Sequence, residues 1–303
     1  MGNVLKCWSR KRSARSATPE YHQRPGNLND VAMARSVEAM NSDSMIGGAS
    51  SAAVTTNSDL VIGIDFGTTF TGVAYAYAAG VASVISIAEM RSVAEKVRVI
   101  KTWPNRSNYY ADKTPTVLAY NRRPPMWGGN VRPSDEPQVA YFKLGLHEDI
   151  ITHYQQHSVQ DAESILGGFL SDHDWRHPAL PDMKAVDFAG DYLTRINQYV
   201  TQEVLPSHFG ERFLQNQKVS YIVTVPAIWS DKAKQQTRQA AFAAGIEPEK
   251  LTLITEPEAA ALYCATLCDE VDLEPGDRFM ICDAGGGTVV CCLLDRKMLI
   301  LRI

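Results

Sequence analysis

The stretch Leu60-Val-Ile-Gly-Ile-Asp-Phe-Gly-Thr-Thr-Phe-Thr-Gly72 decides how the chain is read. Its first half is a run of aliphatic and β-branched residues that ends on a carboxylate, Asp65, which is the pattern of a buried strand. A second apolar run follows at 73–77, so strand, glycine turn and strand predict a β-hairpin. The turn has unusual chemistry. Gly67 lets the backbone come close to a ligand with no Cβ in the way. Thr68 and Thr69 add hydroxyls and backbone N–H groups. Donors on such a turn can cradle phosphate oxygens, and a carboxylate can hold Mg²⁺ through water. An ordinary surface hairpin is the competing reading of this stretch alone.

The layout recurs more than 200 residues later in Arg278-Phe-Met-Ile-Cys-Asp-Ala-Gly-Gly-Gly-Thr-Val-Val-Cys-Cys-Leu-Leu294. A lone glycine triplet is weak evidence. Two Asp–turn–Thr hairpins are stronger, and they predict two related lobes presenting phosphate loops to one cleft. Between them, Val219-Ser-Tyr-Ile-Val-Thr-Val225 is a strand closed by Pro226, which cannot donate to a ladder. Ser230 can cap a helix that runs to about Ala244 and stops at Gly245. Leu251-Thr-Leu-Ile254 is a short strand. Glu256 then starts a second helix, with Pro257 near its first position, where the missing N–H costs nothing. Strands alternating with helices mean an α/β fold. Glu256 stands where a strand hands over to a helix, a usual place for a ligand group; a simple helix-start carboxylate favoured by the dipole is the plainer reading. Upstream, Val186, Ala189, Leu193, Ile196, Val200 and Val204 recur at spacings of three and four, so 181–205 is an amphipathic packing helix.

Composition bounds the function. The chain has 303 residues, 45% apolar and 21% charged, with net charge −4 and a pI of about 6.0. That is ordinary for a globular protein and gives no argument for nucleic acid as a partner. Six cysteines include no CxxC, and most sit in apolar runs as small hydrophobes, which fits a reducing, cytoplasmic setting. No apolar run approaches the roughly 20 residues that span a bilayer. Residues 1–58 contain few large apolar residues and predict a disordered tail. Met1-Gly2 with Cys7 and the basic run near it resemble a lipid-anchor signal, but Lys6 stands where the myristoylation pattern needs Ser or Thr. His153 and His157 could share a helix face, yet no third metal ligand is evident. His173, Asp174 and His177 fall in a polar stretch that reads as a surface loop.

Taken together the motifs resemble the nucleotide-binding domain of the seventy-kilodalton heat-shock chaperones, within the actin-like ATPase (ribonuclease H-like) superfamily. The resemblance rests on Val61-Ile-Gly-Ile-Asp-Phe-Gly-Thr-Thr69, Lys113-Thr-Pro-Thr-Val-Leu118, Tyr221-Ile-Val-Thr-Val-Pro-Ala-Ile-Trp229 with Gln235-Gln-Thr-Arg-Gln-Ala-Ala241, Ile254-Thr-Glu-Pro-Glu-Ala-Ala-Ala261 and Ile281-Cys-Asp-Ala-Gly-Gly-Gly-Thr288. Trp103-Pro104, Met126-Trp127-Gly128 and Tyr141-Phe-Lys-Leu144 look more like a diverged subgroup, found in fungi and animals, that lacks an ordinary peptide-binding domain. The resemblance implies an ATP/ADP site with Mg²⁺. Asp65 and Asp283 would hold the metal shell, and Gly67, Thr68, Thr69 and Phe70 would line the β-phosphate side. Lys143 would meet the γ-phosphate and orient the attacking water. Glu256 would help position the metal, and Gly285, Gly286, Gly287 and Thr288 would wrap the γ-phosphate. A solvated surface lysine is the competing reading of Lys143. The catalytic set is then Lys143, Glu256 and Asp283, working by positioning and charge neutralisation.

On the same resemblance, 1–58 is a tail and 59–272 a complete first lobe. Within that lobe, 59–100 and 215–272 form a core subdomain and 101–214 an inserted peripheral one. Residues 273–303 only begin the second lobe. Val290 stands where the family has a second carboxylate, which argues for weak metal binding or turnover. The family's adenosine-binding glycine motif has no counterpart, so the chain reads as truncated, with a natural short form as the alternative. The hairpin at 279–294 would then lack sheet neighbours and expose its apolar residues, among them Met280 and Ile281. The implied function is an ATP-binding, chaperone-type ATPase domain, incomplete and weakly active or inactive in this chain, with protein clients or co-chaperones. A pseudo-ATPase interaction module and a sugar-kinase-type phosphotransferase of the same superfold are the alternatives.

Overall fold

The computed structural model describes residues 6–9, 59–77, 95–104, 111–147, 177, 179–267, 278–284 and 289–295. In chain order the strands are β1 (Lys6–Ser9), β2 (Leu60–Phe66), β3 (Phe70–Tyr77), β4 (Arg98–Val99), β5 (Thr114–Pro115), β6 (Val117–Ala119), β7 (Met126–Trp127), β8 (Gln138–Ala140), β9 (Val219–Val225), β10 (Leu251–Thr255), β11 (Arg278–Ala284) and β12 (Val289–Asp295). The helices are α1 (Ala185–Tyr199), α2 (Leu205–Phe209), α3 (Asp231–Ala243) and α4 (Glu256–Leu267). The architecture is mixed α/β, as the alternation of strand and helix patterns predicted.

The main sheet runs in the order β10-β9-β2-β3-β4, with β5 added beside β3. Here β2 and β3 form the antiparallel hairpin expected from the opening stretch, with Asp65 opposite Gly72. Strand β9 lies parallel to β2, and β10 parallel to β9. Period-two alternation buries Leu60, Ile62, Ile64 and Phe66 of β2 and leaves the residues between them half-buried. Helix α3 links two parallel strands, β9 and β10. Its N-terminus is capped as predicted, with the Ala233 N–H donating to Ser230 Oγ at 3.3 Å. Its end at Ala243, just before Gly245, also matches.

The helix predicted over 181–205 is α1, continued by a π-helical turn at Val200–Val204. Expected as part of an inserted subdomain, it instead packs on α3. Its buried Phe188, Tyr192, Leu193 and Ile196 share one hydrophobic core with β2, β9 and α3. The physical reason is its wide apolar stripe, which finds the face of the main sheet. Strands β6, β7 and β8 form a separate small sheet.

The second Asp hairpin is β11–β12, with Asp283 opposite Val290 in the register. Two expectations are corrected here. Strand β11 does have another neighbour, because β1, inside the segment expected to be a disordered tail, pairs with it from Lys6↔Cys282 to Ser9↔Phe279. And Ile281 is not exposed. It is fully buried with Phe279, Ala261 and Cys264 in a cluster closed by α4, while Met280 is 44% exposed as expected. Backbone groups on an open strand edge seek a partner, and a four-residue strand supplies one.

Candidate functional site

The carboxyl ends of the three parallel strands β2, β9 and β10 lie along one edge of the main sheet. In open α/β sheets that edge is where ligands bind. Asp65 sits at the end of β2, Thr224 near the end of β9, and Glu256 directly after β10. The sheet therefore brings together residues up to 191 positions apart in the chain.

Asp65 is held from two sides. The Thr224 hydroxyl donates to Oδ1 at 3.1 Å, and the Lys113 ammonium donates to Oδ2 at 2.6 Å. The pair is half-open, with side-chain exposures of 33% for Lys113 and 43% for Asp65. Beyond Asp65 the turn is tight. A Cβ on Gly67 would fall 2.2 Å from the Phe70 carbonyl oxygen, so only glycine fits. The turn is also laced to the 114–116 segment. The Thr116 hydroxyl donates to the Gly67 carbonyl at 2.9 Å, and the Thr116 N–H donates to the Thr69 carbonyl at 2.8 Å. Since the single Thr116 hydroxyl proton is committed to Gly67, Thr71 is the donor in the buried Thr71–Thr116 contact of 2.9 Å. Below it, Tyr192 donates to the Pro115 carbonyl at 2.9 Å, and its complete burial pushes the phenol well above its ordinary pKa, keeping it a neutral donor. Thr68 and Thr69 are half-buried on the turn, and Phe70 is 50% exposed.

Lys143 is not a surface lysine. It is 2% exposed, and its ammonium lies 2.5 Å from Glu256 Oε1. It also stands 5.7 Å from the centre of the Phe66 ring and 5.5 Å from that of Trp229, within cation–π range. Local sequence delivers it there. The fully buried Phe142 ring packs against both Phe66 and Tyr192, with centroids 6.2 and 5.7 Å apart. Tyr141 takes a left-handed backbone, φ 59°, to turn the chain inward. Such a conformation costs a bulky residue on the order of 1–3 kcal/mol and persists only where packing imposes it. A buried lysine is tolerated because it is paired and its remaining surface faces aromatic rings.

Glu256 is fixed by a capping box at the start of α4. The Thr255 N–H and hydroxyl donate to Glu258 Oε2 at 2.9 and 2.7 Å, and the Glu258 N–H donates back to Thr255 Oγ1 at 3.3 Å. The Thr-x-x-Glu spacing in Thr255-Glu-Pro-Glu258 could have revealed this from the sequence. With Thr255 as the cap, Glu256 takes the first helical position, its side chain 17% exposed and turned to Lys143.

Of the expected site residues, the structure brings Asp65, Gly67, Thr68, Thr69, Phe70, Lys143 and Glu256 to one side of the main sheet. The backbone of Asp283 lies on β11, while Gly285, Gly286, Gly287 and Thr288 lie outside the described residues, as do His153, His157, His173 and Asp174. Sequence reasoning missed Lys113, Thr116 and Thr224 as partners of the first turn. All three stand inside quoted motifs, but their contact with Asp65 and Gly67 depends on strand pairing. Among the described residues no group of three or more His, Cys, Asp or Glu is arranged to hold a metal, and no helix is long and apolar enough to cross a membrane. The site's chemistry nonetheless suits a metal–nucleotide complex, with carboxylate oxygens of Asp65 and Glu256, a glycine turn and a buried ammonium on one edge.

The family model for Hsp70 protein matches residues 195–299. Heat shock 70 kDa protein 12A of Homo sapiens is 29% identical over 228 residues, which take in 69% of this chain and 29% of that protein. Its Mus musculus counterpart is 30% identical over the same length and coverage. The chaperone protein HscA homolog of Pasteurella multocida is 28% identical over 171 residues, half of this chain and 26% of that protein. The chain thus spans less than a third of the length of these relatives. The mixed α/β architecture is consistent with the actin-like ATPase fold of that family. The chain is a diverged member of the Hsp70 family.

Proposed function

We propose that this chain binds ATP or ADP, with Mg²⁺, along the carboxyl edge of β2, β9 and β10, and that it is an Hsp70-type ATPase domain of low turnover. One observation carries the reading: the buried Lys143–Glu256 pair stands beside Phe66, the residue that follows Asp65, at the ends of parallel strands. A buried ammonium on the ligand-binding edge of an α/β sheet suits a polyphosphate better than a neutral ligand.

On this reading the turn at 67–70 receives the β-phosphate side through backbone and threonine donors. Lys143 holds positive charge at the γ-phosphate and orients the attacking water, and Glu256 keeps the ammonium in place. Asp65 and Asp283 would hold Mg²⁺, which supplies charge neutralisation for the phosphates, and Glu256 would help position it. Gly285, Gly286, Gly287 and Thr288 would close over the γ-phosphate from the second hairpin. Residues 59–272 serve as the first lobe and 273–303 belong to the second. Val290 is the register partner of Asp283. An apolar residue there cannot hydrogen-bond metal-bound water, which is the reason for expecting slow turnover. Protein clients or co-chaperones are the partners this reading implies, in a cytoplasmic setting.

Calorimetry with Mg-ATP on the full 303-residue chain tests the proposal. Saturable binding that Lys143→Ala weakens at least about tenfold is the expected result, since charge-assisted contacts to phosphate are strong. No binding up to millimolar nucleotide overturns it.

A further inference from the structure

The Lys113–Asp65 ion pair has its own construction. Gly72 lies directly opposite Asp65 in the β2–β3 register. A Cβ on Gly72 would meet Lys113 Cγ at 3.2 Å and Cε at 3.6 Å, so the lysine stem crosses the hairpin over a position without a side chain. The ammonium then reaches Asp65 Oδ2 at 2.6 Å. Neighbouring residues fix the approach. Thr114 pairs with Thr71 on β3, and Thr116 is bonded to Gly67, Thr69 and Thr71. The second oxygen of Asp65 already accepts from Thr224. Glu256 is likewise matched by Lys143. Both carboxylates that this edge of the sheet offers a metal ion therefore carry a lysine ammonium.

We infer that Lys113 is a tethered cation that competes with the divalent ion for Asp65 and lessens the dependence of nucleotide binding on that ion. The inference rests on the nucleotide reading above. A divalent ion reaching Asp65 must displace an ammonium in direct contact, whereas a polyphosphate arriving alone finds the Lys113 and Lys143 ammonium donors at the site. The pair is partly solvated, so the competition is modest, about fivefold in metal affinity. Lys113 acts here as a specificity-determining residue for the cation requirement.

The test compares the full chain with Lys113→Met and Lys113→Gln, which keep much of the stem and remove the charge, and with Lys113→Arg, which keeps the charge. Mn²⁺ alone is titrated by electron paramagnetic resonance, and ATP is titrated by calorimetry in MgCl₂ and in EDTA. The expected result has three parts: Mn²⁺ affinity rises about fivefold in the neutral variants and not in Lys113→Arg; EDTA lowers ATP affinity in the unmodified chain; and EDTA lowers it about fivefold further in the neutral variants. Equal Mn²⁺ affinity in all four chains overturns the inference, and so does an equal loss of ATP binding in EDTA. If no chain binds ATP under either condition, the nucleotide reading fails, while the Mn²⁺ comparison still decides the role of Lys113.

Discussion

The two Asp hairpins look alike in sequence and are supported very differently. In the first, β2 is flanked by β3 and β9, its buried face belongs to the main core, and its turn is tied down by Thr116, Lys113 and Thr224. In the second, β11 is flanked by β12 and the four-residue β1, and its buried Phe279 and Ile281 form a small cluster with Ala261, Cys264 and the half-buried Ala260. The lesson is that a phosphate-loop motif specifies a local turn. Its rigidity comes from the sheet neighbours and cross-links around it.

Substitutions test this difference between the two hairpins. The largest effect is expected where the first region holds its buried charge. Glu256→Ala strands the Lys143 ammonium, which costs about 3–5 kcal/mol when a buried pair loses one member. Urea denaturation checks this, and Lys143→Ala should cost less because Glu256 is the more exposed partner. Next come the two cores. Ile62→Ala should destabilise by about 4 kcal/mol in the main core, and Ile281→Ala by only about 2 kcal/mol, because the smaller cluster collapses more easily around a cavity. Equal losses in unfolding free energy would break the contrast between the hairpins.

Smaller effects probe the first turn. Gly67→Ala must push the added methyl away from the Phe70 carbonyl, and overpacking of this kind costs about 1–3 kcal/mol. It should also weaken ATP binding in calorimetry, whereas an alanine with unchanged affinity would show that the turn does not meet phosphate. Tyr192→Phe removes one donor to Pro115 and should cost about 1 kcal/mol in the thermal unfolding midpoint analysis. A null effect would mean that the 114–116 segment is held by its threonines alone.

Much of the fold was legible because local pattern and tertiary outcome coincide. The alternation in Leu60-Val-Ile-Gly-Ile-Asp65, the cap at Ser230 and the apolar spacing of 186–204 each predict their element through short-range sterics and hydrogen bonding. Where reading failed, the missing information was non-local. The burial of Ile281 depends on α4 arriving over the hairpin, and the pairing of Lys6–Ser9 depends on an open edge far along the chain. The packing of α1 on α3 was hidden for the same reason: a hydrophobic stripe says that a helix is covered, but not by what.

The hairpins, the α/β alternation, the family likeness and the candidates Asp65, Lys143 and Glu256 can be read without a fold, since each is written in contiguous residues. It takes the folded chain to bury Lys143 against Glu256 and to bring Lys113 to Asp65 across Gly72. Those contacts join residues 113 and 48 positions apart. Whether a charged side chain ends in water or on a carboxylate is set by which strands pair and which rings close over it, and no local pattern carries that information.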